Sequence, residues 1–215
     1  MAELSAEEFR NRYRDGERDF RGMDLSGLTY LGTIDGADFS GANLSDCDFV
    51  DRYVEESNFT RADLRRSTSC FFVQCNLKDA NLSSATYESF GNCDLRGCDF
   101  TSHRFQHQGS ISRCDASNAI FRESIFTGDV RFKRSSFRNS QWSNVGTCSG
   151  YDACIWLSGA DFTGASIVQS IEVMEPQIFI GHVTLVNGKL IEQGVNVDIG
   201  RSVPISFLIQ GDVNY

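Results

Sequence analysis

A unit of five residues repeats through most of this chain, and it limits the fold more than any other feature. From Ala37 the sequence reads ADFSG, ANLSD, CDFVD; later come SNFTR, ADLRR, CNLKD, ANLSS, CDLRG, CDFTS and ADFTG. Each unit centres on Phe or Leu, with Asp or Asn one residue before and Ala, Cys or Ser two before. The central column includes Phe39, Leu44, Phe49, Phe59, Leu64, Phe72, Leu77, Leu82, Leu95, Phe100 and Phe162. On a strand, positions five apart fall on opposite faces, and on a helix the stripe would wind round the surface. Both columns stay inside only if the chain turns about 90° per unit, so that four units close a square coil of roughly 20 residues. Stacked at about 4.8 Å, coils from Arg18 to Glu172 number roughly seven to eight and reach on the order of 36 Å.

The repeat absorbs two oddities of composition. The chain has 17 Phe and 8 Cys among 215 residues. Thirteen of the 17 Phe occupy the central column, and Cys47, Cys70, Cys75, Cys93, Cys98 and Cys114 stand two residues before a centre. A Phe or Leu at the axis contributes roughly 1.5–3 kcal/mol by burial. Cysteine at the tight inner corner acts as a small apolar residue. These thiols therefore read as buried packing residues. Cys70 with Cys75, and Cys93 with Cys98, lie five apart on adjacent faces, which is not the C-x-x-C spacing of zinc or redox sites.

The motifs ADFSG, ANLSD, ADLRR, CNLKD, CDLRG and ADFTG resemble the pentapeptide repeat family. The resemblance covers about 155 residues and implies an all-β fold, a right-handed quadrilateral β-helix. The N-terminal stretch GERDFRGMDLSGL is more similar to pentapeptide proteins abundant in cyanobacteria than to the gyrase-protecting subgroup.

The repeat has faults. Tyr30, Ile34 and Phe39 run one residue short; Leu64 to Phe72 and Leu82 to Phe90 are eight apart; Phe105 to Ile111 and Phe126 to Phe132 are six. Thr33, Arg65–Ser69, Ala85–Ser89, Gln106–Gly109 and Gly128–Arg131 are expected as bulges or small loops, where contacts concentrate on a rigid scaffold.

Three segments follow. Residues 1–17 should form a helical cap. Ser5 and Glu8 make a capping box, Leu4 and Phe9 a hydrophobic staple, and Gly16 ends the helix over residues 6–14. Residues 18–172 form the repeat body. Residues 173–215 shift to Val and Ile, and HVTLV–Asn187–Gly188–KLIEQ signals a hairpin with a type I′ turn. VNVDI and ISFLIQ supply further strands, with Pro204 holding the latter to an edge or a start. This small β unit is a lid on the last coil or a homodimer surface, since Ile205, Phe207 and Ile209 alternate on one face.

No catalytic constellation emerges, and the chain reads as no enzyme and without a cofactor. His103 and His107 flank Phe105 and should point apart, so no metal is expected. His182 stands alone, and no Walker or G-x-G-x-x-G pattern occurs. Net charge is −9, which argues against direct nucleic-acid binding. No run of about 18 apolar residues offers a membrane span. The charged N-terminus lacks a secretory h-region, and a cytoplasmic location is expected.

Asp38, Asp48, Asp63, Asp94, Asp99 and Asp161 precede centres and should hydrogen-bond to local turn backbone. Stacking also stacks their charge, giving a candidate acidic surface. The basic cluster Arg131, Lys133, Arg134 and Arg138 reads as a solvated face. The leading reading is a non-catalytic scaffold presenting an acidic surface to an unidentified protein partner. The alternative, implied by the family resemblance, is a DNA-mimicking binder of DNA gyrase or topoisomerase IV. Against it stand the broken register, the interrupting Arg65 and Arg66, and a β rather than helical C-terminus.

Overall fold

The computed structural model describes residues 4–127, 130–143, 146–148, 154–156, 158–168 and the short segments 177–180, 183–184, 190–191 and 195–198. Residues 204–210, with Pro204 and ISFLIQ, lie outside the described residues, as do Leu157, His182, Asn187 and Gly188. The body is a parallel β-solenoid, a quadrilateral β-helix whose coils pair one above another.

The first face of successive coils is marked by the parallel pairings Asp19, Asp38, Asn58, Asn76, Asp94, Asp115, Ser136 and Asp161. The second begins Asp24, Asn43, Asp63, Asn81, Asp99 and Ile120. The third runs Thr29, Asp48, Thr68, Thr86, Arg104 and Ile125. The fourth runs Ile34, Val54, Phe72, Phe90, Ile111 and Phe132. Backbone hydrogen bonds tie each level to its neighbours, as in Phe39 N to Asn58 O at 2.7 Å and Asn58 N to Ala37 O at 2.9 Å.

The register holds one regularity that spacing in the sequence does not reveal. First face to second, and second to third, are always five residues, as in Asp38, Asn43 and Asp48. Fourth face to the next first face is always four, as in Val54 to Asn58 and Phe132 to Ser136. All variation falls between the third face and the fourth. Thr29–Ile34, Asp48–Val54, Thr68–Phe72, Thr86–Phe90, Arg104–Ile111 and Ile125–Phe132 span 5, 6, 4, 4, 7 and 7 residues. Every irregularity of the repeat is therefore stacked on a single corner.

The column Phe39, Leu44, Phe49, Phe59, Leu64, Phe72, Leu77, Leu82, Leu95, Phe100 and Phe162 is buried along the axis. Its rings stack through the coils: Phe20 on Phe39 at 5.3 Å, Phe39 on Phe59 at 5.1 Å, Phe100 on Phe121 at 4.9 Å. Tyr30 departs from the expected column. It is 67 % exposed with φ +59°, and Leu31 takes the inward place. The first coil is one residue short of the second, and the displaced centre goes to solvent.

The corners need a left-handed residue. After Phe39, Ser40 and Gly41 turn the chain, and Ala42 N donates back to Phe39 O at 2.9 Å. Gly41 has φ +69°, and the same place is filled by Arg61, Ser84 and Asn118 at +57°, +58° and +63°. This left-handed geometry turns the chain without proline, of which there are only 2 in the chain.

The N-terminal helix, α1 (Ala6–Arg14), closes the first coil. Ser5 Oγ accepts from Glu8 N, and Glu8 reaches back to Ser5 N at 2.8 Å. At its end Gly16 N donates to Tyr13 O and Glu17 N to Arg12 O, with Gly16 at φ +101°. That is the Schellman arrangement. Phe9 is fully buried, 4.9 Å from Phe20. Tyr13 Oη accepts from Asp35 N at 2.6 Å.

At the other end Gln177–Ile180 pairs in parallel with Cys154–Trp156, and Val195–Asp198 pairs antiparallel with Gln177–Ile180. Val183–Thr184 and Leu190–Ile191 form an antiparallel hairpin. The terminal strands thus extend the fourth-face sheet beyond the last coil.

Candidate functional site

With the axis filled by side chains, chemistry is displayed on the outside. The six candidate aspartates are shared among three faces. Asp38, Asp94 and Asp161 stand on the first face, Asp63 and Asp99 on the second, Asp48 on the third. They do not share one column, and Asn58, Asn76 and Ser136 separate them on the first face.

Local hydrogen bonding fixes each carboxylate. Oδ1 of Asp38, Asp63, Asp94, Asp99 and Asp161 accepts the backbone N–H two residues on, at 2.9, 3.1, 3.1, 2.9 and 2.9 Å. Asn58 Nδ2 also donates to Asp38 Oδ1 at 3.1 Å, one coil to the next. Asp48 Oδ1 accepts from Thr68 Oγ1 in the same way. These Asx turns explain why Asp and Asn exchange freely in the column.

Arginines accompany half of the candidates. Arg65 pairs with Asp63 at 2.6 Å, Arg96 with Asp94 at 2.5 Å, and Arg138 with Asp161 at 2.6 Å. Arg66 reaches across a coil to Asp46 at 2.6 Å. The Arg96 guanidinium holds the Asp94 carboxyl below its ordinary range. Asp161 is lowered by Thr163 and Arg138 against opposing burial. Asp38 and Asp99 form no ion pair among the described residues. Such exposed pairs contribute little to stability; their effect is to interleave positive charge with negative.

The thiols are interior. Cys47, Cys75, Cys93, Cys98 and Cys114 are free and buried. Cys75, Cys93 and Cys114 occupy the same corner in successive coils, between Ser57 and Ser135. Cys93 N donates to Cys114 Sγ, and Cys114 N to Ser135 Oγ. Burial pushes the Cys47 thiol up to about 12 and raises Cys98 well above its ordinary value. The Cys70 side chain lies outside the described residues.

His103 is fully buried, and its Nε2 has no hydrogen-bond partner. The His107 side chain lies outside the described residues, so the pair is not seen together. Among the described residues no group of three or more His, Cys, Asp or Glu is placed to hold a metal ion. No helix among them is long and apolar enough to cross a membrane. A groove open to solvent runs between the fourth and first faces near the N-terminal end, lined by Arg18, Asp19, Asp38, Glu56 and Gln74 among others.

The pentapeptide repeat family model matches residues 34–68 and 57–101, with 8 copies. The chain belongs to the pentapeptide repeat proteins. No curated protein matches the sequence as a relative. Among solved structures, HetL, a pentapeptide repeat protein involved in heterocyst differentiation regulation in Nostoc sp. strain PCC 7120, is 16% identical with a TM-score of 0.28. That match covers 87% of this chain and 100% of HetL. QnrB1, a plasmid-mediated fluoroquinolone resistance protein, is 16% identical with a TM-score of 0.39, over 68% of this chain and 75% of QnrB1. Rfr23 from Cyanothece 51142 is 13% identical with a TM-score of 0.24, over 74% and 95%.

Proposed function

We propose that this chain is a non-catalytic interaction scaffold whose first and second faces present fixed carboxylates to a protein partner carrying basic side chains. One observation carries this reading. Asp38 and Asp99 are held by hydrogen bonds to their own turns, so their orientation is set before any partner arrives. Prepaid ordering of this kind raises affinity without new contacts. The partner is a protein rather than a nucleic acid, since the surface acids would repel phosphates. The setting proposed is cytoplasmic.

The test is capture from a cell extract by the whole chain against an Asp38→Asn, Asp99→Asn variant. Asparagine preserves the turn acceptor and removes only the charge. A discrete partner bound by the native chain and lost by the variant supports the proposal. Equal recovery by both removes the acidic faces from it.

A further inference from the structure

The fourth face differs from the others in how its charges are arranged. One residue past each buried centre, the outward positions from the N-terminal coil onward are Asp35, Glu55, Val73, Gly91, Ser112 and Lys133. The next positions run Gly36, Glu56, Gln74, Asn92, Arg113 and Arg134. Asp35, Glu55 and Glu56 are exposed at one end, and Arg113, Lys133 and Arg134 at the other. Acid and base are interleaved on the first and second faces. In these two columns they are segregated, with neutral residues between.

A face graded from acid to base complements itself when turned end for end. We propose that the fourth face is a self-association surface, on which a second copy of this chain docks with its solenoid antiparallel. The relating two-fold lies along the strand of the fourth coil, through Gly91 and Asn92. Two coils to either side, Glu55 and Glu56 of one copy meet Lys133 and Arg134 of the other, and the reverse. The opposed clusters stand four coils apart in each chain, about 19 Å. An isologous contact of this kind closes on itself as a dimer.

Two further observations fit that axis. Gly91 is the barest residue of its column, yet its own coil does not require it. Its φ is not in the left-handed region, and an added Cβ would meet nothing within 4 Å. A glycine free of both demands leaves room for close approach at the one place where the two copies meet themselves. In the column before the centres, Tyr53 is 52 % exposed and stacks on Phe71 at 5.1 Å. The same two-fold covers this aromatic pair.

The test is sedimentation of the full chain over a range of concentrations and salt. Native protein should form a dimer that weakens as salt rises. Glu55→Lys with Glu56→Lys, and separately Lys133→Glu with Arg134→Glu, should each weaken the dimer by at least roughly tenfold. Mixing the two variants should restore a heterodimer, because both sets of contacts become attractive again. Gly91→Trp should keep the circular dichroism of the fold and lose the dimer. Monomer at every concentration overturns the proposal, as does a native dimer that the two charge variants form equally well. Dimerisation that survives all three variants and is lost on removing residues 173–215 assigns association to the C-terminal unit instead.

Discussion

His103 Nδ1 lies 3.1 Å from the carbonyl oxygen of Leu82, one coil below, while its Nε2 faces an interior of aromatic rings. The imidazole sits 4.3 Å from Phe105 and 5.3 Å from Phe100, centre to centre. It occupies the inner corner that Cys47, Ser67, Ala85 and Ser124 fill in other coils. Burial lowers its pKa to about 3.

Acid should therefore loosen the fold well above the carboxylate range. The folded chain keeps His103 neutral down to about pH 3, whereas the unfolded chain binds a proton below about 6.5. Stability is thus full above pH 6.5 and falls as pH drops from 6.5 toward 3, by on the order of a few kcal/mol. Urea midpoints measured across that window should decline, and His103→Leu should flatten the slope. A slope unchanged in the variant would assign the effect elsewhere.

The left-handed corners predict a gain from glycine. Ser84 is exposed, has φ +58°, and donates its N–H to Thr101 O at 2.8 Å. Ser84→Gly keeps that bond and relieves the steric cost of the conformation, so stability should rise by about 1 kcal/mol. Denaturant melts of the two proteins give the comparison; a loss of stability would contradict the relief of strain.

The interior cysteines should be silent toward alkylating reagents. Burial raises Cys47 to about 12, the Cys114 thiol together with burial raises Cys93 to about 12, and burial raises Cys98 well above its ordinary value. At pH 8 the thiolate needed for attack is scarce in each. Iodoacetamide followed by peptide mass mapping should leave Cys47, Cys75, Cys93, Cys98 and Cys114 unmodified until urea unfolds the chain. Modification of Cys98 in native protein would refute this.

The helical cap should matter through one ring more than through its capping box. Phe9 is buried against Phe20 and Phe39. Phe9→Ala should cost about 3–5 kcal/mol. Ser5→Ala removes an exposed cap and should cost about 1 kcal/mol. Equal costs, read from urea melts, would mean that the helix stands by its own capping rather than by docking.

The DNA-mimic reading has its own assay. Arg65, Arg96 and Arg138 place positive charge beside Asp63, Asp94 and Asp161. Supercoiling by DNA gyrase should proceed unchanged with this chain present. Salt-dependent inhibition would restore that alternative.

Much of the fold is legible in the sequence because its two columns are strict. Phe39, Leu44 and Phe59 announce a turn every five residues, and Ser5 with Glu8 and Gly16 mark both ends of the helix. Tyr30 was not legible as a surface residue. A coil one residue short does not reveal which centre is pushed out, and Leu31 beside it is equally apolar. Nor does spacing show that the faults share a corner, since that depends on following the phase of every preceding coil. The pairing of Asp63 with Arg65, and of Asp94 with Arg96, had a signal in the motifs ADLRR and CDLRG. Arg66 with Asp46 had none, because that contact depends on one coil lying above another.

The single variable corner separates two jobs that most folds entangle. Between Thr68 and Phe72 the chain takes the short way round; between Arg104 and Ile111 it takes three residues more, and the other three sides keep their step. Length can thus be edited at one address while the remaining surfaces stay in phase. A foreign peptide grafted between Thr86 and Phe90 would be carried as cargo on that edge, with the first and second faces undisturbed.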